Sequence, residues 1–64
     1  MKETELWLRL RQHLGPGYYQ VWAAEHSLAT LRNRTVVQAL GDGETSKAVW
    51  RAVWEALELP DRDR

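Results

Sequence analysis

The sequence predicts an all-α fold, a compact small bundle of three longer helices plus one short helix. Three observations carry this. Apolar residues recur at helical spacing in separate stretches, Gly and Pro stand where those stretches end, and no segment alternates apolar and polar residues as a half-buried strand does. With 64 residues the chain reads as one helical domain over 1–64, and a domain of this size buries only about 60% of the surface its unfolded chain exposes. A core of this size rarely supplies more than roughly 3–5 kcal/mol net. There is no cysteine, so neither a disulfide nor a thiolate-bound metal adds to that figure. Four Trp and two Tyr supply the large buried areas instead.

The first helix is expected over about residues 4–14. Leu6, Leu10 and Leu14 form one face with Trp7 beside them, Thr4 is the expected N-cap, and Gly15-Pro16 is the stop. At about 100° per residue, Leu8 falls opposite that stripe and is expected to be exposed or to face a partner. A second helix is expected over about 17–29, with Tyr18, Val21, Trp22 and Leu28 on its core face. Glu25 falls inside that face and requires a partner, because an unpaired buried charge is costly. A salt bridge to Arg34 or Arg32 in the loop "RNRT" is expected to supply it, and Asn33 is suited to the left-handed conformation that ends a helix.

Thr35 and Gln38 fit a capping box that opens a short helix over about 36–40, closed by Gly41-Asp42-Gly43. Too short to stand alone, this helix must be held by packing. The last helix is expected over about 46–58, capped by Thr45 and ended by Leu59-Pro60. On its wheel Val49, Trp50, Val53, Trp54 and Leu57 span an arc of about 140°. Trp50 belongs to the core, Trp54 lies at one edge, and Lys47, Arg51, Glu55 and Glu58 take the opposite side. Residues 61–64, "DRDR", are expected to be a frayed tail.

Nine Lys and Arg balance nine Asp and Glu, which removes the broad attraction that drives non-specific binding to phosphate backbones. Nucleic acid is therefore a disfavoured partner. Its one geometric signal is a helix-turn-helix-like unit at 35–58, in which Lys47 and Arg51 would be the contacts; Gln38, Asp42 and Glu44 fit such a unit poorly. Glu25 and His26 are adjacent, but neighbours on a helix diverge by about 100° and do not converge on one substrate atom. His13 and His26 lack metal-ligand spacing, and neither "GPG" nor "GDG" has the phosphate-loop pattern. The chain is thus expected to be non-enzymatic, with no catalytic residue, cofactor or metal. It has no apolar run long enough to span a membrane, and its first residues are charged where a signal peptide is apolar, so the expected compartment is the cytoplasm. Leu8 and Trp54 form the candidate surface for an unidentified protein partner.

The stretches "TELW", "GPGYYQVWAAEHSL", "RTVVQAL" and "KAVWRAVWEALELP" together resemble a family of small actinobacterial helical proteins of unknown function. The resemblance covers nearly the whole chain. It implies a compact helical domain with no functional residue to carry across, and members encoded near the strand-exchange recombinase and its regulator. Glu3, Leu8, Ser46 and Trp54 depart from the family's pattern. Leu8 and Trp54 are accordingly expected to be additions of apolar surface in this member, used by a regulatory or accessory protein that acts through protein–protein contact.

Overall fold

The structure is a computed structural model that describes all of residues 1–64. Four α-helices follow in order: α1 (Glu3–Leu14), α2 (Tyr19–Glu25), α3 (Val36–Gly41) and α4 (Ser46–Ala56), with 3₁₀ turns at Ala29–Leu31 and Asp61–Asp63. α1 packs on α2 and α4, and α3 closes the bundle against the same two helices. Every element but the last turn contributes to one core, whose fully enclosed residues include Leu6, Leu10, Val36, Val49 and Val53. Trp7, Leu14, Trp54 and Leu57 pack on its margin, partly buried. No helix is long and apolar enough to cross a membrane.

α1 starts at Glu3, with Lys2 as an N-cap that makes no side-chain bond, so Thr4 lies inside the helix instead of capping it. Glu3 and Glu5 in the first turn favour the positive end of the helix dipole. Gly15, at φ +91°, ends the helix in a backbone region that L side chains disfavour.

α2 departs most from expectation. It stops at Glu25, four residues early, because His26 turns to extended backbone and stacks on Trp22 at 4.8 Å between ring centroids. Leu28 still reaches the core, but by a β-bridge with Arg34, and Arg32 and Asn33, both left-handed, turn the chain between them. With Leu28 no longer on the helix, the buried arc of α2 rotates onto Trp22 and Ala23. Tyr18 and Val21, expected in the core, are 53% and 48% exposed, and Tyr19 instead packs edge-on against Trp7.

The caps of the second half form as their sequences require. The Gln38 amide donates to Thr35 Oγ1 at 3.1 Å and the Thr35 amide donates to Gln38 Oε1 at 2.9 Å, the reciprocal pair of a capping box. Thr45 Oγ1 accepts from the Ala48 amide and opens α4. After Ala56, Glu58 adopts a left-handed conformation, and the chain doubles back through Pro60. Residues 61–64 are therefore not a frayed tail. They form a turn against α4, for a reason that lies in the two indoles.

Candidate functional site

A buried or half-buried indole N–H needs an acceptor, and both tryptophans of α4 find theirs in the returning chain. Trp50 Nε1–H donates to the Asp63 carbonyl and Trp54 Nε1–H to the Pro60 carbonyl, each at 2.9 Å. Trp50 is 2% exposed. Trp54 is partly buried, and the guanidinium groups of Arg51 and Arg64 lie 5.6 and 5.1 Å from its ring centroid. Its exposed face is thus occupied from within the chain. Of the two residues expected to form a partner surface, only Leu8 stands open.

The clasp draws together charged residues from both ends of the sequence. Arg9 of α1 lies 5.4 Å from the Trp50 ring centroid, and its Nη1 donates to the Arg64 carbonyl at 3.4 Å. His13 packs at a tilt on Trp50. Arg9, His13, Arg62 and Asp63 line one depression together with Trp50, and Lys47, Arg51 and Arg64 line a second that shares Trp50. Lys47 and Arg51 had a sequence signal. Arg9, Arg62 and Arg64 had none, because their meeting depends on the turn; the signal that could have found it is the pair of α4 indoles, which need acceptors that a helix cannot provide.

Glu25 and Arg34 do not meet. Arg34 reaches forward: its Nε–H donates to the Leu31 carbonyl at 2.8 Å, Nη1 to Asp42 at 3.1 Å, and Nη2 to Glu44. The hydrogen bonds it donates to Glu44, first, and to Asp42 raise the Arg34 pKa above its ordinary value. Asp42 and Glu44, ill-suited to a helix-turn-helix, are there to tie the α3–α4 turn to the loop before α3. Glu25 makes no ion pair and lies in the open with Tyr18, Val21, Trp22 and His26 around a shallow depression of about 210 Å³.

Residues 1–62 match the profile of a family described as a protein of unknown function (DUF3046). The chain belongs to this family. No curated protein and no solved structure matches it.

The Arg34 junction of this DUF3046 domain is structural, and its role is testable. Arg34→Ala is expected to lower the thermal midpoint more than Asp42→Ala or Glu44→Ala, since only the arginine change also strips the Leu31 carbonyl of its side-chain donor. Arg34→Lys should not restore it, because an ammonium cannot present the planar fork that serves three acceptors at once. Equal midpoints for Arg34→Lys and the parent chain in a melting curve would overturn this assignment.

Proposed function

We propose that this domain is a non-enzymatic accessory module that docks a protein partner on the open face of α2. The observation that carries this reading is the pair Tyr18 and Val21, two large side chains about half exposed, the first at the N-cap of α2 and the second in its first turn. Beside them the Trp22–His26 stack forms a flat aromatic edge, and Glu25 adds an unpaired charge. Aromatic residues and buried apolar anchors at the centre of a patch, with charge at its rim, are the anatomy of protein interfaces. The matching partner segment carries an apolar side chain for the depression and a basic residue for Glu25.

The same geometry supports the non-enzymatic part. Glu25 and His26 line the same depression, but no hydrogen bond or ion pair joins them, and the imidazole is stacked on Trp22. Incorporating a photo-crosslinking residue at position 18 or 21 in the native host is expected to yield one protein adduct, absent with the residue at position 37, where Val37 is equally exposed on α3. Glu25→Lys should suppress that adduct. An adduct of equal strength from position 37, or none from 18 and 21, would overturn the reading.

A further inference from the structure

We propose that the two depressions that share Trp50 form one binding site for the phosphodiester backbone of a nucleic acid. This site is separate from the α2 face. The chain carries nine Lys and Arg and nine Asp and Glu, yet these charges are not mixed evenly. Five of the cations, Arg9, Lys47, Arg51, Arg62 and Arg64, line the two depressions, against Asp63 as the one carboxylate side chain. That leaves four cations and eight carboxylates for the rest of the chain. A neutral protein thus gathers five of its nine cations around one side chain, with Glu5, Glu55 and Asp63 as the carboxylates within reach of them.

The cations are also held in place. Arg9 lies over the ring of Trp50, and Arg51 and Arg64 lie over that of Trp54, a geometry that orients the guanidinium groups against the rings. Arginine presents a planar set of donors suited to phosphate oxygens. Arg9, Arg51 and Arg62 also meet Glu5, Glu55 and Asp63, but these are surface pairs, which contribute little and yield to a competing anion.

The division of the cations selects the ligand. A compact anion seated beside Arg9 and Arg62 reaches one depression only. A chain of spaced phosphates crosses Trp50 and engages both. Because Trp50 is buried and Trp54 is covered by arginines, neither indole offers a free face for a base to stack on. Recognition is therefore of the backbone and independent of sequence.

The test is fluorescence anisotropy of the whole chain with a labelled 20-nucleotide DNA, as duplex and as single strand, over a range of salt. Five phosphate contacts give a slope of log K against log salt of about −4.5 for the duplex and about −3.5 for the single strand. The better arm identifies the source of the backbone. Two double variants with the same change in net charge decide whether the site is local. Arg62→Ala/Arg64→Ala is expected to weaken binding about tenfold at low salt and to reduce the slope by about 2. Lys2→Ala/Arg11→Ala, which removes two cations outside the depressions, should leave both nearly unchanged. Circular dichroism establishes that each variant is folded. Absence of binding to either DNA at low salt, equal weakening by the two double variants, or displacement by inorganic phosphate as effective as by unlabelled DNA would each overturn the proposal.

Discussion

Trp50→Ala is expected to abolish the cooperative unfolding transition. Truncating a buried tryptophan costs about 3–5 kcal/mol, and the net stability available to a core of this size is also about 3–5 kcal/mol. The two figures are equal, so little folded population remains. The loss has two parts, since Trp50 fills space between α1 and α4 and its N–H holds the Asp63 carbonyl. Trp50→Phe separates them: it retains most of the ring volume and removes the donor. Urea titration followed by far-ultraviolet circular dichroism should show no transition for the alanine variant, and a cooperative one at lower midpoint for the phenylalanine variant. A wild-type midpoint for Trp50→Ala would place the indole outside the core.

Removing residues 60–64 is expected to destabilise the domain by about 2 kcal/mol, from two hydrogen bonds at about 1 kcal/mol each. The backbone carbonyls lost are those of Pro60 and Asp63, and the exposed edges of Trp50 and Trp54 then meet water. Tryptophan emission should shift to longer wavelength, and the urea midpoint should fall. A frayed tail predicts neither change. An unchanged midpoint together with unchanged emission would therefore restore the simpler view of "DRDR" as a solvated end.

These two residues also show where the sequence is readable and where it is not. Trp50, Leu6, Leu10 and Val53 are buried because each lies on a helix whose phase is set by its own repeat, and the Thr35 and Thr45 caps form because capping depends on residues three apart. Tyr18 and Val21 fall in the core only on one helix that runs through Leu28. The break at His26 changed the phase, and nothing in "EHSL" forbids helix. The pairing of Glu25 with Arg34 does not form for a related reason: it requires α2 to run on, whereas a turn brings Asp42 and Glu44 to Arg34. The cluster of cations was hidden most completely, since net charge sums over the chain and records nothing of placement. Its members span residues 9 to 64, a separation no local pattern encodes.

The turn at Asp61–Asp63 buries none of its own side chains. Its detachment therefore costs little beyond its few hydrogen bonds, far less than opening the helices, and such segments exchange their protons by local opening events. The indole protons of Trp50 and Trp54 are consequently gauges of that opening, distinct from the amides of α1 and α4. Arg62 and Arg64 ride on the same segment, so an anion that bridges them to Arg9 binds the closed state in preference to the open one. By linkage, such a ligand slows indole exchange before it changes any amide of the core. In this small protein the element that completes the cluster of cations is also the first to let go.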